Sequence, residues 1–384
     1  MIIKAFSVLC LIQVLFAAHS SGFACSPPYS PIIESTALAN QNGVVEYKGK
    51  WYQAGDTIYG YKNYVKLVVG DAKVPLLLGI PHDGVGKGTP EIPVTGTTGR
   101  DINTKPLALA IAKLFKKDTG LQPWIVLNEI SRKRVEPNTY IEDVDARYGT
   151  DSEARKTYDS YHELMLLART TMAAHLANTQ GGLFIDVHGH AHRYAYEQEE
   201  EYTSIVTGKK ISSRYVDQSD LGYGLAAAAL REPDATLDTY ADQSTIAGLA
   251  QAHAAVPFSA LLRGPYSLGA LLQAEGVVSV PGNVLPAPEL DSWKFGVNTA
   301  GNPKSRPYFN GGFLTRRYGT AKEGKTIGFA DNISAVQIET PGITVRNNPT
   351  IIARSSHKFK RAIIQYLNHW YGCNFPNSDY PYAY

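Results

Sequence analysis

Apolar positions along the chain fall into two spacings. Short, mainly apolar runs at residues 74–80, 124–127, 183–187 and 334–338 predict strands buried on both faces. Between and after them, residues 107–115 and 152–176 carry apolar side chains three and four apart, the period of a helix. Ser152 or Asp151 is the expected cap of the longer one, with Glu153 and Ala154 in its first turn. Residues 225–273 are rich in Ala and Leu and read as helical, and 350–370 read as a closing helix. Strands alternating with helices predict an α/β fold: a mostly parallel or mixed sheet with helices on both faces.

Other stretches lack either spacing. Residues 25–40 are a Pro- and Ser-rich lead-in, 44–52 read as a hairpin turning at Lys48-Gly49-Lys50, and 56–69 alternate in part. Together 25–75 form a small β-rich amino-terminal addition. Residues 84–99 and 276–312 are long and irregular, and the second has the length of a functional loop. There is no repeat and no clean linker, so 25–384 reads as a single catalytic domain.

Polar residues gather where the strands end. The run 183–187 stops at His188-Gly189-His190, with His192 beyond. The run 74–80 stops at Pro81-His82-Asp83-Gly84, the run 124–127 at Asn128 to Arg132, and the run 334–338 at Glu339. In a parallel sheet such ends face one crevice. Two imidazoles and a carboxylate there suit zinc, which takes N and O ligands and keeps a position open in catalytic sites. Glu339 is the candidate general base. Arginines at the rim, Arg132 and Arg134 among them, suit a substrate carboxylate. His190 is a second-choice ligand, because Gly189 leaves the geometry of the pair open. Gly84-Val85-Gly86-Lys87-Gly88-Thr89 lacks the spacing of a phosphate loop, and no G-x-S-x-G nucleophile elbow occurs.

Composition narrows the partners. The 384 residues carry a net charge of +2, too mild to argue for nucleic acid or an anionic membrane. Lys4, an apolar run at 5–18 and small residues up to Ala24 form the pattern of a secretory signal, so residues 1–24 are expected to be removed after Ala24 or Ser20 and the protein to be secreted. No later stretch is long and apolar enough to span a membrane. In an oxidising compartment Cys25 and Cys373 are candidates to pair and tie the chain ends together. Asn332-Ile333-Ser334 is a glycosylation acceptor in a glycosylating host.

With these residues in view, the chain resembles the N-formylglutamate amidohydrolase-like family, related to the zinc carboxypeptidase and aspartoacylase hydrolases. The resemblance runs in order from about Leu77 to Arg346. It is carried by Pro81-His82-Asp83-Gly84, Arg100-Asp101-Ile102-Asn103-Thr104, the stretch from Arg132 to Asn138, Tyr161-His162, and Ile185-Asp186-Val187-His188-Gly189-His190. Leu221-Gly222-Tyr223, Arg263-Gly264-Pro265, Phe309-Asn310-Gly311-Gly312 and Gln337-Ile338-Glu339 add to it.

The resemblance implies a zinc-carboxypeptidase-like fold, one Zn2+ held by His82 and His188, and Glu339 as the base. The third ligand it implies is Asp101, with Glu91 the alternative. In the related hydrolases a carboxylate stands three residues after the first histidine, where this chain has Val85. Arg132 or Arg263 would stabilise the oxyanion, and Asn138, Arg263 and Arg346 would bind substrate. Thr139 replaces the family's arginine after Asn138, which argues against formylglutamate itself. The expected reaction is zinc-dependent cleavage of an amide bond in an N-acyl amino acid or related small substrate. The rival readings are a carboxypeptidase-like exopeptidase using Arg346 or Arg354, and a metal-free secreted binding protein.

Overall fold

The computed structural model describes residues 45–378, apart from 97–98, 178, 180, 191–200, 204–209, 213–217, 290–298, 300, 302–307, 321–327, 330 and the side chains of 201–203 and 210–212. The expected leader, Cys25 and His192 lie outside the described residues.

The strands are β1 (Val45–Tyr47), β2 (Lys50–Tyr52), β3 (Thr57–Tyr59), β4 (Val65–Val68), β5 (Leu76–Ile80), β6 (Trp124–Asn128), β7 (Gly182–His190), β8 (Glu201–Thr203), β9 (Lys210–Ser212), β10 (Ser219–Gly222), β11 (Ser279–Val280) and β12 (Ile333–Pro341). Eight of them form one mixed sheet in the order β11-β10-β12-β7-β5-β6-β4-β3. The central block β12-β7-β5-β6 is parallel, while β10 runs antiparallel to β12 and β4 to β6. The expected α/β class is therefore present, in its mixed form. The amino-terminal region divides: β1 and β2 make a separate hairpin, whereas β3 and β4 extend the main sheet. The hairpin turns where expected, with Lys48 and Gly49 at φ 51° and 76°.

Helices cover both faces. Helix α1 (Thr104–Thr119) and the closing helix Pro349–Trp370 pack on one side, and α3 (Glu153–His175) packs on the other. Ser152 caps α3 by accepting from the Arg155 N–H, and Asn348 caps the closing helix through Ile351. Helix α2 (Ile141–Tyr148), acidic and half exposed, is only 8 residues long, too short a stretch for its period to be read from sequence.

Side chains alternate between the faces of a strand. Leu183, Ile185 and Val187 of β7 join Leu76, Leu78 and Ile80 of β5 and Val336 and Ile338 of β12 in the core beneath α1. The opposite face starts apolar, with Phe184 and Ala335 against Tyr161 and Met165 of α3. Further along the same face come Asp186, His188 and His190 of β7, with Gln337 and Glu339 of β12 beside them. Each core side chain contributes about 1.5–3 kcal/mol by burial. A one-residue slip would turn Asp186 and His188 into the core beneath α1, so apolar packing fixes which face carries the polar row.

Candidate metal centre

Three elements bring the site together. His82 follows β5, His188 lies near the end of β7, and Asp101 sits in the loop before α1. The Asp101 N–H donates to the His82 carbonyl at 3.3 Å, which fastens that loop to the end of β5. Asp83 completes the attachment. Its carboxylate accepts from the N–H groups of Asn103 and Lys105 at 3.3 and 2.8 Å and from Arg100 Nε at 2.6 Å. Helix α1 has no cap from its own Asn103 side chain, so Asp83 supplies the acceptor for its first turn.

Asp101 Oδ2 lies 3.2 Å from His82 Nδ1 and 3.3 Å from His188 Nδ1. The two imidazole rings meet edge to face, with centroids 4.5 Å apart. One ligand atom from each of the three residues fits within 4.8 Å of the others, and all three residues are buried. Ligands about 2.0–2.1 Å from a tetrahedral ion stand roughly 3.3–3.4 Å from one another, so both histidine–aspartate separations already match a shared cation. This buried group could hold a metal ion.

The far nitrogen of each histidine faces a second carboxylate. His82 Nε2 is 2.5 Å from Glu136 Oε1, and His188 Nε2 is 3.0 Å from Asp186 Oδ1. The His188–Asp186 pair is close but misaligned, and neither atom completes a hydrogen bond. A carboxylate behind an imidazole holds the proton on the far nitrogen and leaves Nδ1 free to ligate. Arg132 links the acids: it donates twice to Glu136 Oε2, at 2.7 and 3.0 Å, and to Asp101 Oδ1 at 3.0 Å.

Glu339 is the register partner of His188 across β12 and β7, with Oε1 3.8 Å from His188 Nδ1. Gln337 donates to the same oxygen at 2.9 Å. Burial raises the Glu339 pKa, against the pull of His188. Asp220, the register partner of Glu339 on β10, extends the row and is pushed up to about 8 by burial. Asp101 moves the other way. Burial opposes its charge, but His82 and His188 overcome that and lower its pKa. Burial also opposes charge on the histidines, yet Glu136 at His82 and Asp186 at His188 raise both. Glu136 itself is held down to about 2, where His82 and Arg132 outweigh its burial.

The other expected site residues fall elsewhere. Glu91 is exposed and paired with Arg134 at 2.6 Å, so the geometry favours Asp101 over it. His190 Nε2 lies 2.8 Å from the Gln218 carbonyl, outside the His82–Asp101–His188 group. Asn138 accepts from the Leu314 N–H at 2.8 Å and packs against Gly312, a joint between loops. Arg263 is bound to Asp234 and to the carbonyls of Leu230 and Glu232, within the helical region 227–263. Arg346 donates to the carbonyls of Thr340, His190 and Ile102. Gly189 allows this clamp, because a Cβ there would strike the Arg346 guanidinium. Arg354 is exposed on the closing helix. Sequence reasoning passed over Asp186, Glu136, Asp83 and Asp220. Asp186 had a signal, as the one charged residue inside the run 183–187.

No family model matches the chain, and no curated protein matches it. Among solved structures it is similar to N-formylglutamate amidohydrolase from Ralstonia eutropha JMP134, with a TM-score of 0.37 and 10% identity, over 77% of this chain and 94% of that one. No helix among the described residues is long and apolar enough to cross a membrane.

Proposed function

We propose that the chain is a secreted, zinc-dependent hydrolase that cleaves an amide bond in an N-acyl amino acid or related small substrate. The observation that carries this reading is the buried His82–Asp101–His188 group with Glu339 beside it. The donor set fits zinc: two imidazole nitrogens, one carboxylate oxygen and a carboxylate behind each imidazole. Zinc there would polarise the scissile carbonyl and acidify a water.

The residues of the chain do the rest. Asp101, His82 and His188 form the binding triangle. Glu136 sets the tautomer of His82 through its bond to Nε2, and Asp186 stands behind Nε2 of His188. Arg132 holds Asp101 and Glu136 in place and offsets their charge. Glu339 is the general base; it accepts a proton from the attacking water and returns it to the leaving nitrogen. Its raised pKa keeps both proton states within reach near neutral pH. Secretion is supported by the charged, apolar and small-residue order of residues 1–24.

The test is elemental analysis of the purified protein, with amide hydrolysis measured on a panel of N-acyl amino acids before and after chelation. One zinc per chain and activity lost on chelation and regained with zinc are expected. A fully folded protein that takes up no divalent metal would remove this reading.

A further inference from the structure

We infer that Gln337 is a positioning residue for Glu339: its amide, turned by the Gly312 N–H, ties one oxygen of the Glu339 carboxylate and leaves the other to take the proton. The inference rests on the hydrolase reading and adds what makes the base directional.

Two glycines bring the loop that turns this amide onto the sheet. Gly222 of β10 is the register partner of Gln337 on β12. A Cβ at Gly222 would strike the backbone of Asn310 and Gly311, so the absent side chain lets residues 309–311 lie directly against the strand. The Gly224 N–H donates to the Asn310 carbonyl at 2.7 Å, and the Tyr308 hydroxyl donates to the Leu221 carbonyl at 2.7 Å, which holds them there. Gly312 comes next along the chain. It packs against Asn138, which a Cβ would strike, and its N–H donates to Gln337 Oε1.

That contact fixes the direction of the amide. A backbone N–H only donates, so the end of Gln337 that meets Gly312 is its carbonyl oxygen. The NH2 end is thereby turned toward Glu339, two residues further along the same face of β12, and donates to Glu339 Oε1 at 2.9 Å. Gln337 is buried, so neither end of the amide has water to turn to.

The two oxygens of Glu339 are thereby made unequal. Oε1 carries the bond from Gln337 and faces His188 Nδ1 at 3.8 Å. Oε2 bonds to none of the described residues. A carboxylate fixed at one oxygen presents the other in a constant position, as a proton transfer requires. The attacking water gives its proton to Oε2, and Oε2 returns it to the leaving nitrogen. The bond at Oε1 lasts through both transfers.

Binding of acetohydroxamic acid to the zinc-loaded protein, by calorimetry, tests this in a double-mutant cycle. The compound gives up its hydroxyl proton when it binds a metal ion, and Glu339 is the base that receives it. Gln337→Met should keep one zinc per chain and weaken binding about tenfold, as for the loss of one hydrogen bond to a charged group. In a Glu339→Gln background the same substitution should change the affinity by less than about twofold, because Gln337 acts only through that carboxylate. Gln337→Ala, which removes the amide without adding bulk, should show the same pattern and replaces Gln337→Met if the latter does not fold. Unchanged affinity, an equal loss in both backgrounds, loss of zinc, or failure of both variants to fold would overturn the role and leave the hydrolase reading standing. So would a zinc-loaded wild type that binds no acetohydroxamic acid. Failure of the wild type to take up zinc would overturn both.

Discussion

Two guanidinium groups are enclosed by this fold, and they are enclosed differently. Arg169, fully buried on α3, meets Asp331 by two bonds of 2.7 Å and the Tyr318 carbonyl by a third, and lies over Phe329, 3.7 Å from its ring centroid. There one cation faces one acid. Arg132 faces both Glu136 and Asp101, and beyond them stand Asp186, Glu339 and the Asp220 carboxyl. Their balance otherwise rests on His82 and His188, whose raised pKa values favour the protonated imidazoles. Burying so many acids is costly unless cations join them, and a metal ion held by neutral imidazoles would take the place of those protons. The Arg169 pair is complete as folded; the Arg132 group has the composition of a site that completes itself with an ion.

The largest effects should separate the two regions by kind. Arg169→Ala empties a fully buried position, leaves the Tyr318 carbonyl unpaired and releases the part-exposed Asp331, and should cost about 2–5 kcal/mol of stability. Metal content per folded molecule should not change, as urea unfolding combined with elemental analysis would show. His188→Ala should do the reverse, abolishing zinc binding and lowering kcat/KM by about a thousandfold or more. A His188→Ala protein that kept its zinc would break the contrast.

Smaller effects sharpen it. Glu339→Gln keeps the shape of the row but cannot take a proton, so zinc should stay while kcat falls by about 10²–10⁴-fold. Equal turnover would remove its role. Glu136→Gln should leave the fold intact and weaken zinc binding by about 10–100-fold, since the carboxylate behind His82 becomes an amide. Competition with a chelator of known strength measures this.

Much of the frame was legible because burial writes itself into sequence. The run ending at His82 is apolar on both faces of its strand, the run ending at His188 is apolar except for Asp186, and those histidines interrupt them. Glu339 was found the same way. The partners behind the histidines were harder. Glu136 reaches His82 from an irregular loop with no period to mark it. Asp220 sits on a four-residue strand, Ser219–Gly222, whose sequence has no apolar run. Its place in the row comes from pairing with β12 more than a hundred residues later. The arginines misled for the opposite reason. Arg263 and Arg346 have the chemistry to bind a carboxylate, but their donors hold backbone carbonyls, and only tertiary structure shows that. The irregular stretch 276–312 was marked as functional by its length. Its described end, at Tyr308 to Gly312, bonds to both β10 and β12.

The finest test concerns Asp220, which carries the excess of acids one strand further out. Its folded pKa, about 8, lies above its ordinary value because burial disfavours the charge. Below about pH 4 the acid is protonated in folded and unfolded chains alike. Between there and pH 8 the unfolded chain sheds its proton while the folded one holds it, so stability falls as pH rises. Above pH 8 both are ionised and the loss levels off. Asparagine mimics the neutral acid at every pH. Asp220→Asn should therefore match the wild type near pH 4 and gain on it as pH rises to 8, by on the order of 1 kcal/mol per pH unit at most. The raised pKa of Glu339 adds a slope of the same sign to both proteins and largely cancels in the difference. Paired urea titrations across this window, on metal-stripped protein, read the effect directly. Parallel stability curves would mean that Asp220 is ionised in the folded state, and that the row shelters one more negative charge than Arg132 can answer.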